Sequence, residues 1–264
     1  VDLYGEGIPG LLYRGEDNGW LYRAAQRDTE ATTPDAVSYQ DWQPLPATPS
    51  LAQPSLLDVD GSGQLDWVIT QPGLAGCFTL QQNGSWSRFT PFTALPNEFF
   101  HPQAQLADVL GAGLSDLVLI GPQSVRLYAN QRTGFAAAQG CAQDVILPVP
   151  GQDPTALVAF ADLLGSGQQH LVKIRHDSVY CWPNLGHGCF GQPLHLAALD
   201  LDAATFAPDR VYLADLDGSG AVDLIYATAD HLLLYANQSG NGFAEPISLP
   251  LPDGVRFDQF GETI

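Results

Sequence analysis

One pattern, Asp-x-x-Gly-x-Gly, begins at Asp2, Asp58, Asp108, Asp162 and Asp215, so it recurs five times at intervals of 50 to 56 residues. A period of this length points to a chain built from stacked supersecondary units. The register holds inside the units as well. Twenty residues after each leading Asp stands an aromatic: Tyr22, Phe78, Tyr128, Trp182 and Tyr235. In three units an Asn follows two residues later, at Asn130, Asn184 and Asn237.

Each unit reads as short strands. The Asp-Gly loop leads into an apolar run such as Asp66-Trp67-Val68-Ile69-Thr70, Asp116 to Ile120 or Asp223 to Tyr226. A turn then leads to an alternating strand such as Ser124 to Tyr128. A Gly-rich hairpin follows, then a short strand around Phe135, Phe190 or Phe243, then a Pro-bearing linker such as 147–150 or 249–252. Three or four strands in about fifty residues, repeated, is the logic of a propeller blade. The predicted fold is an all-β propeller of about five recognisable blades over residues 1–264, with units beginning near 2, 58, 108, 162 and 215. The tail around Asp258 hints at a sixth leading loop, so the five units are expected to belong to a larger ring. With no methionine anywhere and no signal-peptide pattern, the chain is expected to be a piece of a longer protein.

Composition supports strands and tight loops. There are 27 Gly and 20 Pro, and the 29 acids comprise 23 Asp and 6 Glu, a bias toward the acid that favours turns over the one that favours helices. A net charge of -19, with Lys173 as the single lysine, excludes nucleic acid as a partner and disfavours anionic membrane surfaces. No apolar run is long enough for a membrane helix, so direct membrane insertion is not expected. Cys77, Cys141, Cys181 and Cys189 show no zinc-like pairing and read as isolated thiols.

Two loops carry the full form Asp-x-Asp-Gly-Ser-Gly-x-x-Asp. Their oxygens, from Asp58, Asp60, Ser62 and Asp66 and from Asp215, Asp217, Ser219 and Asp223, have the spacing that can converge on a structural Ca²⁺. The other loops are degraded. Leu110 and Ala112 replace two of these positions in the third unit, Leu164 and His170 in the fourth, and Tyr4, Glu6 and Gly10 stand in the first. A leading Asp that accepts backbone N–H groups, with glycines at positive φ, explains all five loops without a metal. No cofactor is required on this reading.

Other constellations carry less. Gly5 to Gly10 matches G-x-G-x-x-G, but strand-like residues follow where a nucleotide site needs a helix. Cys181, His187 and Cys189 fall at ordinary hairpin positions, and His170 at a loop-Asp position. No catalytic triad or nucleophile elbow is present, so no catalytic residue is assigned and the chain is not expected to be an enzyme. The recurring aromatic and Asn could line sugar sockets, although packing between sheets accounts for the aromatic.

The Asp-x-Asp-Gly-Ser-Gly-x-x-Asp loops resemble FG-GAP/VCBS propeller repeats. Longer stretches resemble the SpvB-like N-terminal region of the B component of bacterial insecticidal Tc toxins. They are 56–70 (LLDVDGSGQLDWVIT), 100–130, 165–170 with 181–188, and 211–226. The resemblance implies a secreted, non-catalytic interaction module. It would dock the shell formed with the C component onto the pentameric, channel-forming A component and gate toxin entry. The alternative is a calcium-dependent carbohydrate-binding propeller, suggested by the Asp loops and recurring aromatics.

Overall fold

The computed structural model describes residues 1–5, 8, 10–15, 19–27, 37–47, 55–71, 73–81 and 85–251. The fold is an all-β propeller of five antiparallel blades. The described helical residues are confined to two short 3₁₀ turns, Asn97–Phe100 and Pro208–Arg210, and no described helix is long and apolar enough to cross a membrane. The expected extra loop near Asp258, together with Pro252 and Glu6, lies outside the described residues. The chain forms two compact units, Val1–Pro96 with Asn130–Ala136, and Asn97–Ala129 with the chain from Ala137 on.

The first unit holds two blades. One is three-stranded, from Leu11–Arg14, Trp20–Arg23 and Gln43–Pro44, with a separate hairpin of Ala25–Arg27 and Val37–Tyr39. The other is four-stranded, from Ser55–Leu57, Asp66–Gln71, Leu74–Phe78 and Thr90–Pro91. Leu3, Tyr22, Ala24, Leu45 and Leu80 form a buried cluster in this unit. Trp20 meets Trp67 edge-on at 5.4 Å, and Trp67 lies 5.7 Å from Trp86. Large aromatic rings supply much apolar area for few ordered residues.

The second unit holds three four-stranded blades. The third blade comprises Gln105–Ala107, Asp116–Gly121, Ser124–Tyr128 and Gln139–Ala142; the fourth Leu157–Ala161, His170–Ile174, Ser178–Trp182 and Leu194–Ala198. The fifth comprises Val211–Ala214, Asp223–Ala227, His231–Tyr235 and Ile247–Pro250. Alternation of side chains across a strand explains how the fourth blade serves two cores. Leu171 and Trp182 belong to one cluster with Val118, Val125 and Leu127, whereas Val172, Ile174, Val179 and Cys181 belong to another with Leu224 and Tyr226. Its middle strands are apolar at most positions, and only Tyr180 among their residues is exposed.

The outermost strands differ. Ile247–Pro250 is exposed throughout, and Pro250, expected in a linker, instead pairs with His231 at the end of this strand. An edge strand tolerates proline because one side of its ladder is unused. The expected strands at Phe135 and Phe243 are single bridges to Asn130 and Asn237, while Cys189–Phe190 pairs with Asn184–Gly186 as a small hairpin.

Candidate functional site

The Asp loops are the regular polar feature of the described structure, and in each the leading carboxylate works on the backbone. The fifth residue's N–H donates to one oxygen and the sixth residue's N–H to the other. These pairs are Ser62 and Gly63 on Asp58, Ala112 and Gly113 on Asp108, Ser166 and Gly167 on Asp162, and Ser219 and Gly220 on Asp215. Paired glycines at positive φ, such as Gly218 at 73° and Gly220 at 86°, let the backbone curl around the carboxylate. The degraded loops at Asp108 and Asp162 keep both bonds although Leu110 and Leu164 replace the second acid. The pair of bonds to the leading Asp therefore does not depend on a second carboxylate.

The complete loops add to this scaffold. Asp60 accepts Ser62 N–H at 3.0 Å and Asp217 accepts Ser219 N–H at 2.9 Å. Carboxylate oxygens of Asp58, Asp60 and Asp66 lie within 4.8 Å of one another, as do those of Asp215, Asp217 and Asp223. Hard oxygens of this kind fit a divalent cation such as Ca²⁺, with Ser62 and Ser219 at the fifth position. Such an ion would act as a staple across a loop already closed by hydrogen bonds.

The ninth position is buried in all four loops: Asp66, Asp116, His170 and Asp223 are each at most 3% exposed. Asp66 accepts Val59 N–H at 3.2 Å and the Thr79 hydroxyl at 2.7 Å, and burial pushes its carboxyl above the usual range. Asp223 accepts Leu216 N–H at 2.9 Å and Asn237 N–H at 2.7 Å. His170 reproduces part of this with neutral imidazole. Its Nδ1 accepts Asn184 N–H at 3.0 Å, which leaves Nε2–H facing Ser166 Oγ at 2.9 Å. Burial lowers its pKa, opposed by Asp162.

The recurring Asn proves to be a staple, a role that the sequence did not disclose. Asn184 Nδ2 donates to Val109 O at 2.9 Å and to Gln169 O at 3.2 Å, while its Oδ1 accepts Gly186 N–H at 2.8 Å. Asn237 repeats the set with Leu163 O, Val222 O and Gly240 N–H. Within the first unit, Asn130 Nδ2 donates to Val59 O at 3.1 Å. Each amide thus reaches the carbonyl just after the leading Asp of the preceding repeat. Because that partner is backbone, no residue type signals it.

The remaining candidates stay separate from any chemistry. All four cysteines are free, and burial pushes Cys77 to about 11 and Cys181 to about 12. Those values leave both thiols inert at neutral pH. His187 sits in the hairpin at positive φ, its carbonyl 3.0 Å from Cys141 Sγ. Strand Leu11–Arg14 follows Gly10, where a nucleotide loop would need a helix.

No protein-family model matches the chain, and no curated protein matches it. Solved structures do. The chain is 58% identical to a Photorhabdus luminescens Tc holotoxin pore structure, with a TM-score of 0.81, over 98% of this chain and 12% of that one. It is 57% identical to TcdB2-TccC3 without its hypervariable C-terminal region, with a TM-score of 0.55 over the same shares. An Agrocybe aegerita lectin that recognises non-reducing terminal N-acetylglucosamine matches at 18% identity and a TM-score of 0.57, covering 93% of this chain and 64% of the lectin. At that identity the likeness speaks to fold alone. The chain spans about an eighth of the Tc toxin chains it matches, and over that span its sequence and backbone are similar to theirs.

Proposed function

We propose that this chain is a non-catalytic shell module of a secreted Tc-type toxin complex, the SpvB-like, FG-GAP-type propeller region of a B component. It docks the shell formed with the C component onto the channel-forming A component and gates toxin entry. The observation that carries the reading is 58% identity over 98% of the chain to a segment of the Tc holotoxin pore structure. The non-catalytic part is supported by the loop carboxylates, whose oxygens are engaged by backbone N–H donors rather than held free beside a nucleophile.

Gating is supported by a contrast. At nearly equal identity, the holotoxin pore superposes on this chain at 0.81 and TcdB2-TccC3 at 0.55. That difference in likeness supports a segment that takes more than one arrangement.

The test is binding of the folded chain to a Tc-type A-component pentamer, with a heat-denatured sample as control. Saturable binding by the folded chain alone is the expected result. No binding by a chain that shows a cooperative β transition would overturn the docking role. Specific, calcium-dependent binding on a glycan array would replace it with the lectin reading.

A further inference from the structure

Equivalent positions in the second unit carry different side chains at successive blade junctions. Between the third and fourth blades, Trp182 packs with Val145 and Leu147, and its indole N–H donates to Ile146 O at 3.0 Å. Gln143, also buried there, donates to Gly188 O at 2.8 Å and accepts Phe190 N–H at 3.0 Å. Between the fourth and fifth blades the corresponding residues are Tyr235 and Leu199. The match is structural as well as numerical: Gln143 N–H donates to Gln123 O and Leu199 N–H to Asp177 O, both at 2.9 Å, at the same turn of successive repeats.

Beside Tyr235 and Leu199 lies a cleft of about 400 Å³, lined by Leu199, Asp200, Leu233, Tyr235, Phe243 and Glu245 among others. That volume lies in the range of ligand pockets, about 300–1,000 Å³. The Tyr235 residue is only 6% exposed, and its hydroxyl forms no hydrogen bond among the described residues and is not sealed from solvent, so it is free to accept one in the cleft. Asp200 and Glu245 are exposed at the cleft and form no ion pair or hydrogen bond among the described residues, and no cation lines it. Both carboxylates act on the phenol, which burial, Asp200 and Glu245 together hold in its protonated form.

We propose that this cleft binds the cationic side chain, lysine or arginine, of a partner polypeptide. The walls of Leu199, Leu233 and Phe243 suit the methylene stem, which such side chains bury while their charge stays at a polar rim. The two unpaired carboxylates and the phenol oxygen supply acceptors for the head group. An anion is repelled twice over, and a net charge of -19 draws basic partners toward the whole surface. The inference stands independently of which protein the chain docks to.

The test is an NMR titration with N-acetyl-arginine methylamide, read at the Tyr235 ring, against its neutral isostere N-acetyl-citrulline methylamide. Expected are saturable shifts at Tyr235 and Phe243 for the arginine probe, weakened by added salt, with citrulline binding roughly tenfold more weakly. D200N/E245Q, which removes two unpaired surface charges and leaves the fold intact by thermal melt, weakens the arginine probe by a similar factor. Equal binding of citrulline, unchanged affinity in D200N/E245Q, or no shift at Tyr235 would overturn the proposal. So would N-acetylglucosamine occupying the cleft, since that would mark a neutral polar ligand.

Discussion

The fourth and fifth blades share a backbone plan, and two of the positions at which they differ are instructive. At the ninth loop position, His170 stands where the fifth blade has Asp223, and both are buried and both accept the N–H of the stapling Asn. At the aromatic position, the Trp182 indole N–H is bonded to Ile146 O, whereas the Tyr235 hydroxyl has no such partner among the described residues and lines a cleft. The leading Asp, the glycine pair and the Asn amide stay fixed in both blades because they satisfy backbone groups that the fold exposes in every repeat. Positions that contact side chains are free to vary, and there one blade can acquire a surface its neighbour lacks.

The largest expected effect tests the fixed part. Asn184→Ala removes three hydrogen bonds and leaves the buried Val109 carbonyl without its amide donor, at a cost of about 2–4 kcal/mol. Asn237→Ala removes the equivalent set from a less buried site and costs less, about 1–3 kcal/mol. Urea unfolding of both variants checks the order. A near-neutral Asn184→Ala would show that the amide merely accompanies the repeat and does not staple it.

How much of this was legible in the sequence follows from the kind of partner each residue has. The leading Asp and its glycines announced themselves because their partners lie within six residues, so composition and spacing fixed the turn. Asn130, Asn184 and Asn237 were visible as a recurrence, but their carbonyl partners lie 71 to 75 residues away in the chain and carry no side-chain signature. The cleft was hidden for a related reason. It depends on Tyr235 and Leu199 jointly, and the linker that supplies Leu199 is where the repeats insert and delete residues.

A middle-sized effect sharpens the His170–Asp223 contrast. Burial holds the folded pKa of His170 below its ordinary value near 6.5, whereas the unfolded chain titrates normally. Above about pH 6.5 both states are neutral at this site and stability is flat. As pH falls below 6.5, the unfolded chain takes up the proton first, so stability drops until the pH passes the folded pKa, by at most about 1.4 kcal/mol per pH unit. Protonation also places a second N–H against the Asn184 N–H. His170→Asp makes the fourth loop like the fifth and removes the imidazole from which this component arises. Urea midpoints at pH 7.5 and 5.5 compare the two proteins; an unchanged pH slope in His170→Asp would sink the assignment.

The smallest effect is expected where complete and degraded loops differ. Asp60 and Asp217 are absent from the loops at Asp108 and Asp162, yet those loops keep the same bonds from the fifth and sixth N–H groups. Asp60→Asn and Asp217→Asn together retain an oxygen for the Ser62 and Ser219 N–H groups and should change stability by less than about 1 kcal/mol. On the same reasoning, a chelator leaves the melting midpoint where it was, because the loop is closed by its own amides. A calcium-dependent rise in midpoint, abolished in the double variant, would break the comparison: the complete loops would then be metal sites, and the second acid of each would be retained for the ion.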